Sequence, residues 1–353
     1  MFLEASFSSL KISKYKLNTG KISFFLCFIS ILMIGLMRNQ HLGVDVDNYR
    51  YYLHQRLNVD VDNYRYYFLK FYPSKSISFF IFNFKYDIGY VLLNKFIRLF
   101  TSNFRIFENI VFIISYGIFS YIIYKRSKCF SLSFLVYLGL GFLGTNLCIL
   151  RQAIACSICF LSFDFIKKNN KLVSLLLILL AVTFHKTAIF FLLSYIIIEG
   201  NDSRALLIKK NLFLLLSILG AMYIIPHLYK FYSNDYSNTS VSGQGYKLLF
   251  FYIIISFILR IIMNRKKLKN EVKDYEGSFG AIYLQIGAIS FSLFARVTRY
   301  FELIYTLSIP NITYESKYRK FYIFIFALIF SALYIYGLVT DGCQIVPFES
   351  FLT

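Results

Sequence analysis

Four basic side chains stand where apolar runs stop. Arg151 opens the run that follows it, His185 divides the run 172–198, and Arg296 and Arg299 precede the run that starts at Tyr300. Ionisable groups at such edges are costly to hold next to apolar surroundings, and they commonly serve a function. A guanidinium grips phosphate-type oxygens through two hydrogen bonds at once. Arg296 and Arg299 are three residues apart, so on a helix they share a face. An imidazole or a carboxylate can take a proton from a hydroxyl. His185 is one candidate for that step, and Asp45 and Asp47 of the stretch Val44-Asp-Val-Asp-Asn-Tyr49 are the others. Each has a plainer alternative. An arginine at such an edge can snorkel to lipid headgroups, and His185 can satisfy backbone groups released by a helix break.

The elements that would position these groups follow from composition. Of 353 residues, 58% are hydrophobic, 20% aromatic and 16% charged, with a mean hydropathy of +0.59. A soluble chain carries about a quarter charged residues. Apolar runs of about 17–25 residues recur, the length needed to cross a bilayer. Runs such as 172–180 do not alternate, which excludes a β-barrel. The expected fold is all-α: one polytopic integral membrane domain over 1–353. The net charge of +20 fits basic loops that orient helices and meet anionic lipid. No soluble module is present to bind nucleic acid. Cys156-Ser-Ile-Cys159 lies inside an apolar run with no second pair, so it reads as buried small residues. No His/Cys/Asp/Glu set has metal-ligand spacing, and no cofactor is expected.

About 11 spans are expected, near 22–38, 104–124, 130–149, 151–166, 172–184, 187–198, 211–226, 246–263, 277–294, 300–313 and 320–339. With Lys11, Lys14, Lys16 and Lys21 inside, residues 39–103 lie outside, and so does the C-terminus after Val339. Read as one helix, 172–198 would turn the basic stretch 260–273 outward. Read as two short helices breaking at His185-Lys186, it keeps that stretch inside. His185 then lies in a recess at the outer face, because non-helical backbone at membrane depth needs a polar cavity or protein around it. The segment 88–100, with Lys95 and Arg98 among apolar residues, reads as an amphipathic helix on the outer surface.

Residues 44–52 recur without change at 59–67. Two copies are too few for a solenoid and read as a lengthened outer loop. Asp-Val-Asp-Asn lacks the glycine and closing glutamate of a calcium loop.

Taken in order, the motifs resemble those of the bacterial Wzy-type polysaccharide polymerases, in the EpsG-like branch. They are Gly43-Val-Asp45-Val-Asp-Asn-Tyr49, Asp87-Ile-Gly89-Tyr90, Arg151-Gln152-Ala-Ile-Ala155, His185-Lys186-Thr187-Ala188, and Arg296-Val-Thr-Arg299-Tyr300 running on to Ile309-Pro310. The chain departs from the pattern at Asp87, where glutamate is common, at Lys186, where serine is common, and in the doubled Asp–Tyr segment. The resemblance implies an enzyme of the bacterial cytoplasmic membrane. It would join oligosaccharide repeat units carried on undecaprenyl diphosphate into a capsule or exopolysaccharide, at the outer face. It implies Arg151, Arg296 and Arg299 on the diphosphate and His185 or Asp45 at the reacting hydroxyl. Tyr49, Asp87, Tyr90, Gln152 and Tyr300 would meet sugar. A flippase and a chain-length regulator are the expected partner proteins. The alternatives from other classes are a transporter or flippase with broken helices, and a membrane acyltransferase.

Overall fold

A computed structural model describes residues 19–38, 87–198 and most of 244–340, with a few further positions between them. Asp45, Tyr49, both copies of the repeated segment, most of 211–226 and everything after residue 340 lie outside the described residues.

The described residues are helical, with no extended strand among them. We number the α-helices α1 Thr19–Met37, α2 Ile88–Arg98, α3 Phe104–Arg126, α4 Phe130–Gly139, α5 Phe142–Cys148, α6 Leu150–Lys167, α7 Lys171–Phe184, α8 Leu193–Ile198, α9 Gln244–Lys266, α10 Val272–Ser290, α11 Leu293–Glu302, α12 Tyr305–Tyr314 and α13 Arg319–Thr340. A 3-10 helix, Lys186–Leu192, joins α7 to α8. Among the described residues, four helices are long and apolar enough to cross a membrane: α1, α3, α9 and α13. The pair α4–α5, bent by 61°, makes a fifth. This is a multi-pass membrane protein. The other expected spans that fall in the described residues are shorter, as in α7 and α12, or carry charge at their ends, as in α6 and α10.

Each element has a local cause. α1 has no charge after Lys21, and its 19 residues extend about 28 Å at about 1.5 Å per residue, close to the thickness of a bilayer core. Asn103 caps α3 by accepting from the Arg105 N–H at 3.0 Å, and Asn170 caps α7 through the Val173 N–H at 3.3 Å. These side chains fill amide positions that a helix start leaves open. Gly141, at φ 74°, adopts the left-handed backbone that ends α4 and starts α5; glycine takes that conformation without steric cost. Pro310 inside α12 cannot donate to the Thr306 carbonyl, and Ser133 Oγ of α4 fills that place at 2.7 Å. α6 is buried on nearly every face and forms the centre of the bundle, with α3 and α7 beside it.

The two ends of the bundle differ. At one end the termini of α3, α6, α10 and α12 are tied by ions. Asp164 accepts from Arg126 and, at 2.9 Å, from Lys168. Asp274 pairs with Lys167. Lys128 lies 2.6 Å from both Glu271 and Glu315. Burial lowers the pKa of its ammonium, but the hydrogen bonds it donates to the two carboxylates, with their charge, outweigh that and hold it above the usual lysine range. Asn311 completes the knot, reaching Asp274 at 3.3 Å and the Arg126 carbonyl at 3.1 Å.

At the opposite end, Arg38 and Glu108 form an ion pair at 2.9 Å with both side chains 0% exposed. Arg38 also donates to the Leu147 carbonyl of α5. This pair fastens α1, α3 and α5 together. Removing one member leaves a buried charge uncompensated, which costs about 3–5 kcal/mol. Glu108→Ala should therefore lower the thermal midpoint of the detergent-solubilised protein strongly. The double change Arg38→Met with Glu108→Leu should recover most of the loss, because it removes both charges together.

Candidate functional site

The end that carries Arg38 and Glu108 also gathers the candidate residues. α7 stops at Phe184, and His185 takes an extended conformation, φ −155° and ψ 115°. The chain reverses there. The 3-10 helix and α8 run back along α7 until Tyr195 meets Ser174 and, at 3.1 Å, the Lys171 carbonyl. The result is a short helical hairpin with His185 and Lys186 at its tip, as the charge argument expected. Buried Ala188 has no bulk to hold the tip open, and its N–H returns to the His185 carbonyl at 2.9 Å.

The His185 ring sits among hydroxyls. Nδ1 is 2.5 Å from Thr187 Oγ1 and 3.1 Å from the Tyr300 hydroxyl, and the two hydroxyls are 3.0 Å apart. Arg151 and Arg296 both lie within electrostatic reach of the ring. Arg151 is the second residue of α6, so the positive end of that helix adds to its charge. Arg296 is exposed. Its backbone carbonyl accepts from Gln152 Nε2 at 2.7 Å, and that contact fixes α11 beside the head of α6.

One carboxylate borders these cations. Asp87 stands at the start of α2, 3.6 Å from Arg151 and 3.9 Å from Lys186. Both separations exceed hydrogen-bond contact. The Lys186 side chain is 70% exposed and that of Arg151 15%. Gly89 shows why α2 begins where it does. A Cβ there would collide with Thr183, two residues before His185, so only glycine lets the α2 start close on α7. Tyr90 is buried beneath, with Arg151 6.0 Å from its ring centroid. The rest of α2 presents Ile88, Leu92, Phe96 and, just after its end, Phe100 outward as an apolar stripe.

The structure thus brings together Asp87, Tyr90, Arg151, Gln152, His185, Arg296 and Tyr300. Tyr90, Gln152 and Tyr300 are buried and back the cluster. Arg299 sits elsewhere. It donates to the Leu140 carbonyl at 2.5 Å, at the α4–α5 elbow, and pairs with Glu302 at 2.7 Å. Its guanidinium lies 5.1 Å from the Phe142 ring centroid. Tyr252 of α9 donates to the same Glu302 at 2.6 Å. Asp45 and Tyr49 fall outside the described residues. Among the described residues no group of His, Cys, Asp and Glu could hold a metal ion, and Cys156 and Cys159 are buried and free.

A helical membrane bundle with arginines at one end describes many proteins; the match along the chain is what decides. The EpsG family matches residues 21–350, nearly the whole sequence. The chain belongs to the EpsG family. EpsG proteins are Wzy-like polymerases, which fits a site that gathers arginines, a histidine and an aromatic backing. No curated protein and no solved structure matches the chain. The sequence reading of this EpsG member did not single out Arg38, Glu108, Glu302 or Tyr252. Two signals were available: Glu108 is a lone acid in an apolar run, and Glu302 is three residues after Arg299, on the same helical face.

The Gly89 contact is open to test. Gly89→Ala should lower the thermal midpoint and the yield of folded protein. Gly117→Ala, where an added Cβ meets nothing within 4 Å, should leave both unchanged.

Proposed function

We propose that this EpsG protein polymerises lipid-linked oligosaccharide repeat units into a surface polysaccharide, using a sugar carried on undecaprenyl diphosphate. The single observation that carries the reading is the asymmetry between the two ends of the bundle. At the Arg126–Asp164 end, cations and carboxylates interlock across four helices. At the hairpin end, Arg151, Lys186 and Arg296 surround His185, with Asp87 in ion-pair range of Arg151 and Lys186, and Lys186 and Arg296 are exposed. Such a cluster suits an anion that arrives from outside the protein. A diphosphate presents several acceptor oxygens, and its charge grows as the sugar–phosphate bond breaks. Arginine forks aimed at that position stabilise the leaving group.

In this reading the basic, ion-tied end faces the cytoplasm with the N-terminus. The hairpin end then faces outward in the bacterial cytoplasmic membrane, and the C-terminus lies outside. The short pair α7 and 186–198 counts as two partial crossings in a bundle of about 11. α2 lies in the outer interface with its apolar stripe toward lipid, which places Asp87 beside the entering headgroup. Arg151 and Arg296 hold the diphosphate. Gln152 positions Arg296 from the α6 side, and Arg299, held at the α4–α5 elbow, positions it along α11. Asp45 and Tyr49 supply the hydroxyl-handling and sugar-facing groups from the loop 39–103. A flippase would deliver the substrate, and a chain-length regulator would act on the product. The ion knot disfavours a transporter, which must open both ends in turn.

Deleting the gene should leave single repeat units accumulating on the lipid carrier. An unchanged distribution of chain lengths on analysis of lipid-linked products would remove the proposal. With purified protein in proteoliposomes, Arg151→Ala should cut kcat/KM by about 10²–10³, the size of effect seen when one charge-stabilising donor is removed. Arg151→Lys should recover only part of that, because an ammonium lacks the planar fork.

A further inference from the structure

We infer that His185 carries its proton on Nε2 and serves the site as a neutral hydrogen-bond donor to a ligand oxygen, while Thr187 and Tyr300 hold the ring in that form as positioning residues. The identity of the ligand rests on the function proposed above; the tautomer does not.

The argument is a count of protons in a closed triangle. Three polar atoms lie within hydrogen-bond distance of one another: His185 Nδ1, Thr187 Oγ1 and the Tyr300 hydroxyl. Two of them carry hydroxyl protons. Tyr300 is fully buried, and its hydroxyl partners among the described residues are the other two corners. Suppose Nδ1 carries the ring proton. It donates to Thr187, and Thr187 donates to Tyr300. The Tyr300 proton then has no acceptor in the triangle, which leaves a buried donor unmade. Suppose instead that Nδ1 is bare. Thr187 donates to Nδ1 and Tyr300 donates to Thr187, or the two exchange roles. Either way both hydroxyl protons are used and the Nδ1 lone pair is filled. The second arrangement satisfies every group. The hydrogen bond at one imidazole nitrogen sets the state of the other, so Nε2 bears the proton.

The surroundings agree. Arg151 of α6, Arg296 of α11 and the neighbouring Lys186 offer N–H groups and positive charge, with Asp87 of α2 in ion-pair range of Arg151 and Lys186. A ring acting as proton acceptor would become a fourth cation in this group. A ring that offers N–H simply adds a donor. Four donors suit a ligand made of acceptor oxygens, as a diphosphate is. In the transfer, the sugar–phosphate bond breaks and the new glycosidic bond forms. The proton of the attacking hydroxyl then passes to a carboxylate: Asp87 is the one described beside the cluster, and Asp45 and Asp47 are the sequence candidates.

Nitrogen-15 NMR of the histidine-labelled full-length protein in nanodiscs decides the tautomer, with the His185 signal assigned from its absence in His185→Gln. A protonated Nε2 and bare Nδ1 are expected, and the double variant Thr187→Val with Tyr300→Phe should release the ring into a mixture of tautomers. A protonated Nδ1 in the wild type overturns the inference. Activity in proteoliposomes gives a second reading. His185→Gln, whose side-chain amide also offers N–H, should stay within about tenfold of wild type, whereas a loss of about 10²–10⁴ is the signature of a missing general base and overturns the donor role. A wild type that extends no lipid-linked sugar refutes the polymerase reading and leaves the NMR result standing.

Discussion

A carbonyl released from a helix inside an apolar bundle has no water to turn to. Each unpaired backbone group there costs several kcal/mol, and the whole architecture follows from where such groups are released and what fills them. Pro310 releases the Thr306 carbonyl, and Ser133 takes it. The left-handed turn at Gly141 leaves the Leu140 carbonyl, and Arg299 takes it. The break at His185 is closed locally, by its own N–H to Ala181 and its carbonyl to Ala188. Breaks are therefore not defects scattered along the chain. The first two are held by a side chain from another element, so each of those also fixes how two elements meet.

Charge obeys the same constraint by a different route. A buried ion is tolerated only with a partner of good geometry. The Arg126–Asp164 end meets that demand with a knot that ties four helices and leaves their acids in contact with bases. Arg38 and Glu108 meet it with a sealed pair. The cluster around His185 does not meet it in the same way. Asp87 lies in ion-pair range of Arg151 and Lys186, and two of the three cations, Lys186 and Arg296, remain exposed. The hairpin tip can hold this arrangement because its backbone is already satisfied and because Gly89 and Ala188 let neighbouring segments close in around it.

The all-helical class and the long spans were legible because an apolar run of bilayer length has few other meanings. The break at His185 was legible by a less direct route. Orientation by basic loops required an extra reversal, and the structure places it between Phe184 and Lys186. The amphipathic α2 was legible from spacing, and the exposed stripe Ile88, Leu92, Phe96 and Phe100 bears its pattern. Partnerships were not legible. Nothing in the run that contains Glu108 says that Arg38, seventy residues earlier, closes on it. Gln152 looked like a group for a ligand, yet its amide is engaged by the Arg296 carbonyl. A residue type announces what chemistry it can do; only the fold decides whether backbone or ligand claims it.

Arg296 and Arg299 show how far that distinction reaches. Three residues apart on α11, they share a helical face, and the sequence gives no reason to separate them. The structure gives them different tasks. Arg296 stays exposed near His185, while Arg299 is committed to the elbow carbonyl and to Glu302, which Tyr252 also holds. The commitment of one bears on the other. α11 is rigid over three residues, so anchoring Arg299 to the α4–α5 elbow fixes the height and rotation at which Arg296 emerges. Gln152 then fixes the same stretch from the α6 side. Arg296 is thereby held through its own carbonyl and through the Arg299 side chain one turn on, while its guanidinium stays exposed, which is the geometry a binding group requires: rigid at the root and open at the tip.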